Sequence, residues 1–194
     1  MRDNLGQFGF GKELKMQWIN NSTGKIIDNP KLYDIDKASL GYGYSLTSNS
    51  LQIARAYSVF ANEGVMVEPR ILPDIQSKRV RVLSKSNALF ILDSLRMTVL
   101  DGTASNLKNE RVEIAGKTGT SQVRRITVAE RESEDFRKKE VEWKKRDHAL
   151  FVGYMPVENP RYAVSVVIEH GGSGASTAAP IAKEIFQFTK NLEI

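Results

Sequence analysis

The sequence has no cysteine, two histidines in 194 residues and no long apolar run. Without cysteine there is no disulfide, no thiol nucleophile and no thiolate zinc site, although a disulfide-free chain can reside on either side of a membrane. His148 and His170 have no third ligand at a recognisable spacing, so a zinc centre is not expected. The cleanest apolar stretches, such as residues 162–168, fall far short of the ~20 residues of a membrane span. Met1-Arg2-Asp3-Asn4 opens no signal-peptide pattern, and no export or anchoring segment is expected in the chain. Only 6 prolines and 14 glycines, with a mean hydropathy of -0.35, exclude collagen-like, low-complexity and wholly disordered classes.

With 41% hydrophobic and 26% charged residues, the chain reads as one globular domain or a large piece of one, long enough to bury a core. Its net charge of +5 raises the question of nucleic acid. Residues 124–147 hold 9 basic and 7 acidic side chains, with Glu130, Glu132, Glu134, Asp135, Glu140 and Glu142 interleaved among the Lys and Arg. A phosphate-binding surface needs one sign gathered on one face, so no nucleic-acid partner is expected, and the segment reads as a charged insertion between two core strands.

The spacing predicts little regular structure before residue 47, with Gly6, Gly9 and Gly11 in a turn. Leu51, Ile53, Ala54, Tyr57, Val59, Phe60 and Ala61 return mostly at helical spacing and predict a buried helix over 47–63, capped by Thr47 or Ser48. A second helix starts near Ser84 and stops at Asp101-Gly102. Residues 112–118 alternate as a strand and meet Gly119, which suggests a close approach to the backbone. The β-branched and aromatic runs 148–155 and 162–169, joined by a turn over 156–160, predict an antiparallel pair. Ala178, Ile181, Ala182, Ile185, Phe186 and Phe188 predict a closing amphipathic helix. The layout is α+β, an antiparallel sheet covered by helices. Trp18, Trp143 and the phenylalanines read as packing or surface anchors.

Two stretches imitate phosphate loops. Gly6 to Lys12 has the glycine and lysine spacing, but Glu13 stands where a magnesium-binding hydroxyl is required. Gly116-Lys117-Thr118 has the other end of the motif, but Arg111 replaces its first glycine. The Lys117-Thr118-Gly119 triplet belongs instead among the signatures of penicillin-reactive serine acyltransferases. On a strand edge, Lys117 would supply a cation beside a nucleophile, and the Thr118 and Thr120 hydroxyls would hold a substrate carboxylate. Gly119 would let a substrate approach, and the Thr120 N–H would serve an oxyanion hole. As a bare triplet, it reads more readily as a turn at a strand end.

Its context is more specific. Gly41-Tyr42-Gly43-Tyr44-Ser45-Leu46-Thr47 runs into Leu51-Gln52-Ile53-Ala54-Arg55-Ala56-Tyr57 and Asn62-Glu63-Gly64, and Gly102-Thr103-Ala104 precedes the triplet. Together these resemble class B, high-molecular-weight penicillin-binding proteins. Residues 117–123, the charged insertion, Arg146-Asp147-His148 and Glu169-His170-Gly171-Gly172 are most similar to the penicillin-binding protein 2 group, the elongation transpeptidases of rod-shaped bacteria. The resemblance runs from Gly6 to the last helix. It implies that residues 1–194 are the C-terminal part of a transpeptidase domain of the serine β-lactamase-like fold. The implied activity is a D,D-transpeptidase that cross-links D-Ala-D-Ala stem peptides at the periplasmic face of the inner membrane. β-Lactams would be its inhibitors and an inner-membrane glycan polymerase its partner. Lys117 and Thr120 match catalytic positions and Thr118, Gly119 and Thr120 substrate-binding ones, and the resemblance implies no metal and no cofactor.

The resemblance also implies that the Ser-x-x-Lys nucleophile and the Ser-x-Asn motif lie upstream of the chain. Ser22-Thr23-Gly24-Lys25 matches the first in letters, but a nucleophilic serine must open a buried helix with its lysine one turn later, and Thr23, Gly24 and Asn29-Pro30 argue against a helix there. Thr47-Ser48-Asn49 is nearest to the second and reads better as a helix cap. Asp147 is placed to orient His148, although a histidine at a strand entrance is commonly structural, and His170 would flank the cleft. The alternative to an enzyme is a non-catalytic module that binds a stem peptide or a cell-wall partner.

Overall fold

The computed structural model describes residues 2–16, 19–27, 33–108, 113–124, 127, 132–133 and 141–191. They form two compact units, Met1–Asp93 and Ser94–Ile194.

The first unit holds more regular structure than the periodicity predicts. Helix α1 (Arg2–Gln7) takes in Gly6, with Asp3 in its first turn where the positive end of the helix dipole favours an acid. Gly9 follows at φ +84. Strand β1 (Lys25–Ile26) pairs antiparallel with β2 (Leu46–Thr47), Lys25 opposite Thr47, and helix α2 (Asp34–Gly41) lies between them in sequence. The Tyr33 N–H donates to the Asp36 carboxylate at 3.1 Å and satisfies a group at the start of α2. Two-residue strands exist only through their partner, so no local pattern announces them.

Helix α3 (Ser50–Ala61) begins one cap later than predicted. Thr47 is committed to β2, and Asn49 accepts from the Gln52 N–H at 2.8 Å while Gln52 Oε1 accepts from the Asn49 N–H at 3.0 Å. Strands β3 (Val65–Val67) and β4 (Arg79–Arg81) form a hairpin with Met66 opposite Val80. Helix α4 (Lys85–Leu100) starts where expected, the Ser84 hydroxyl accepting from the Asn87 N–H.

The second unit is built on a three-stranded antiparallel sheet in the order β5 (Ala115–Ser121), β6 (His148–Met155), β7 (Tyr162–Ile168). Strand β6 matches its predicted range, and β7 ends one residue short of it. Strand β5 lies three residues later than the alternation suggests, because its limits are set by the register with β6, Ala115 opposite Tyr154 and Ser121 opposite His148. Val112 lies outside the described residues. A five-residue π turn (Gly174–Ala178) leads into helix α5 (Ala179–Asn191). Ala178, Ala179, Ala182 and Phe186 bury against Ala149, Phe151 and Val166 of the sheet, with Val99, Ala104, Leu107 and Ile114 completing the core. Sealing side chains the size of Phe151 and Phe186 contributes about 1.5–3 kcal/mol each. The chain is thus α+β, with its sheet packed under helices. Of the charged insertion, Trp143–Lys145 form a 3-10 turn; Glu130, Glu134, Asp135 and Glu140 lie outside the described residues, as does Trp18.

Candidate active site

Strand β5 is the edge of its sheet: β6 covers one side, and no strand among the described residues pairs with the other. An edge leaves alternate N–H and C=O groups open to an extended ligand. Side chains alternate across the pleat. Lys117 therefore shares a face with Val152, its partner in register, and Thr118 and Thr120 share the other with Phe151 and Ala149. Lys117 is exposed, and its Nζ donates to the Thr118 carbonyl at 2.8 Å. The Thr118 and Thr103 hydroxyls lie 2.6 Å apart, so the Gly102-Thr103-Ala104 turn fixes the middle hydroxyl of the motif. The contact of that turn with Thr118 spans 15 residues and has no local signal in the sequence.

The glycines of this region permit tight backbone packing. A Cβ on Gly116 would meet the Val152 carbonyl at 2.5 Å, and one on Gly119 would press on the Leu150 Cβ at 3.3 Å. The predicted close approach at Gly119 is real, and the approaching group is Gly174, where a Cβ would overlap the Gly119 and Leu150 carbonyls. Asn106 Nδ2 donates to the Ala175 carbonyl at 2.9 Å and ties the same turn to the Ser105–Leu107 3-10 helix.

Beyond Ser121, His148 and His170 stack edge to face with ring centroids 4.8 Å apart, and Trp143 packs against His170 at 4.9 Å. Asp147 does not orient His148, which leaves the structural alternative for a histidine at a strand entrance. The Asp147 Oδ1 accepts from the Val123 N–H at 3.2 Å, and the imidazole Nδ1 of His148 accepts from the His170 N–H at 2.9 Å. The residue that holds the ring lies 22 positions away rather than next to it.

Neither serine with a lysine three residues on has the geometry of a buried nucleophile. Exposed Ser22 sits in a turn, its hydroxyl accepting from the Gly24 N–H at 3.2 Å, with Lys25 on β1. Ser105-Asn106-Leu107-Lys108, a second match in letters, is the Ser105–Leu107 3-10 turn with Lys108 at its C-cap, and Ser105 and Lys108 are both exposed. The glycine-rich start of the chain is no phosphate loop. The Gly9 carbonyl accepts from Arg55 Nη2 at 3.2 Å, and that guanidinium fills the space a side chain at residue 9 would need. A cavity of about 1000 Å³ in the first unit is lined by Lys12, Arg55, Glu68 and Arg70 among others and by none of the β5 residues. Among the described residues no group of His, Asp or Glu side chains is arranged to hold a metal ion.

The family model of the penicillin binding protein transpeptidase domain matches residues 1–187. Peptidoglycan D,D-transpeptidase MrdA of Acinetobacter baumannii is 28% identical over 207 residues, spanning 95% of this chain and 30% of that protein. Penicillin-binding protein PbpB of Mycolicibacterium smegmatis is 31% identical over 206 residues, with 93% and 30% covered. The chain thus spans less than a third of the length of these relatives. Among solved structures, the penicillin-binding protein of the Helicobacter pylori PBP2–MreC complex superposes with a TM-score of 0.80 at 21% identity, over 98% of this chain and 35% of that one. Penicillin-binding protein 3 of Mycobacterium tuberculosis, complexed with aztreonam, gives 0.76 at 24% identity over 99% and 46%. Both likenesses are of fold.

Proposed function

From the premise that this chain belongs to the penicillin-binding-protein transpeptidase family, we propose that its 194 residues are the C-terminal part of a peptidoglycan D,D-transpeptidase domain of the penicillin-binding protein 2 group. They supply the Lys-Thr-Gly edge of its acyl-transfer site. The observation that supports this most is the open β5 edge, with Lys117 on one face, Thr118 and Thr120 on the other, and the Thr118 hydroxyl set by Thr103 at 2.6 Å. A stem peptide or a β-lactam lies along that edge as an added strand. Thr118 and Thr120 hold its terminal carboxylate, Gly119 admits it, and the Thr120 N–H polarises the scissile carbonyl. A serine Oγ from a segment outside these residues attacks the carbonyl of the penultimate D-Ala. The C–N bond to the last D-Ala breaks, and that residue leaves as the protonated amine. An amine of a second stem peptide then attacks the ester and restores the serine hydroxyl. Lys117 keeps a positive charge beside the nucleophile throughout. The corresponding setting is the periplasmic face of the inner membrane, with a glycan polymerase as partner.

The test is acylation of the full-length protein by a penicillin, followed by intact mass and peptide mapping. Lys117→Ala is expected to slow acylation by at least about 100-fold. Near-normal acylation of that variant removes the role of Lys117, and an adduct mapped to Ser22 or Ser105 shows that the nucleophile lies within these residues.

A further inference from the structure

The histidine pair at the far end of β5 is not used by the chemistry above, yet it joins the motif through an unbroken series of contacts. The His170 Nδ1 lies 3.1 Å from the Arg146 carbonyl, which only accepts, so that nitrogen carries a proton. The His148 Nδ1 accepts from the His170 backbone N–H at 2.9 Å, so that nitrogen carries none and the ring is neutral. His170 itself has φ +55, a left-handed backbone disfavoured for a residue with a side chain, and the bond to His148 holds it there. The next residues are tied in turn. Gly172 N–H donates to the Asp147 carbonyl at 2.8 Å, the Thr177 hydroxyl donates to the Gly171 carbonyl at 2.8 Å, and Gly174 rests on the backbone of Gly119 and Leu150.

We propose that His148 is a positioning residue for the Lys-Thr-Gly strand: its neutral Nδ1 holds His170, and the connection from Gly171 to Gly174 transmits that hold to the backbone of Gly119. The proposal rests on the reading of β5 as the substrate edge for its functional consequence, but the mechanical link exists without it. Ser121 faces His148 from β5, and Trp143 covers the outer side of His170.

Three measurements test it. In the wild-type chain, nitrogen-15 spectra should show the His148 proton at Nε2, with Nδ1 as the acceptor. His148→Phe should accelerate amide exchange at His170 and Gly174 by about tenfold and shift the Gly119 amide, as loss of one hydrogen bond requires. His148→Asn, whose amide oxygen still accepts, should restore both. A Gly119 amide indifferent to His148→Phe overturns the proposal, as does an Asn variant that resembles Phe. In the full-length protein, penicillin acylation should slow in His148→Phe and recover in His148→Asn. Unreactive wild-type protein with the amide coupling intact counts against the transpeptidase reading alone, whereas normal acylation without the coupling counts against the positioning role alone.

Discussion

Residues Met1–Asp93 bury a glutamine and an arginine beside apolar side chains such as Leu14 and Val59, whereas Ser94–Ile194 close around Phe151 and Phe186. In the first unit, Gln52 Nε2 donates to the Lys12 and Thr23 carbonyls at 2.8 Å each, while its amide also completes the α3 capping box. Arg55, 5% exposed, pairs with Glu68 at 2.7 Å and reaches the Gly9 carbonyl. Two side chains one turn apart on α3 thus gather three distant stretches of chain, 9–12, Thr23 and Glu68. The described residues of the second unit are held differently, by the ladders of β6 with both its neighbours and by a helix that covers an apolar face. A polar hub is directional and fails when one atom is changed, while an apolar core is non-directional and fails in proportion to the volume removed.

That contrast is open to direct attack. The largest effect is expected from Phe186→Ala, which empties a fully buried site under the sheet: denaturant unfolding should show a loss of about 3–5 kcal/mol. Gln52→Met nearly preserves volume and should therefore be mild if packing governs the first unit. If hydrogen bonding governs it, as the geometry indicates, two carbonyls and the Asn49 N–H lose their partner and about 2–3 kcal/mol is lost in the same assay. The smallest effect concerns Tyr57, whose phenol is pushed above its ordinary 10.0 by burial. The unfolded chain releases that proton first, so stability is unaffected below about pH 10 and falls as pH rises beyond it. Tyr57→Phe should shallow that alkaline decline by less than about 1 kcal/mol, read from unfolding midpoints at about pH 9 and about pH 11.

The second unit was the more legible in sequence, and for a related reason. Strands β6 and β7 are continuous β-branched and aromatic runs, so composition alone marks their extent. Helix α5 shows its buried stripe at Ala182 and Phe186. The first 47 residues carry no such signal, because β1 exists by pairing with β2, and in the helix that follows Gln52 and Arg55 look in sequence like the solvent side of an amphipathic helix. The site was legible where it is contiguous, in Lys117 to Thr120, and silent where it is assembled: neither the Thr103 contact with Thr118 nor Gly174 against Gly119 has a local pattern. Asp147 beside His148 was a local suggestion that a longer-range bond overrode.

The unpaired edge of β5 carries one more consequence. A bare strand margin is a template on which a second molecule can add its own strand, and natural sheets guard such margins with charge, lysine above all. Lys117 stands exposed in the middle of that margin, where two copies meeting edge to edge would bring their ammonium groups together. The same charge that readies the strand for a small peptide keeps it from polymerising with its own kind.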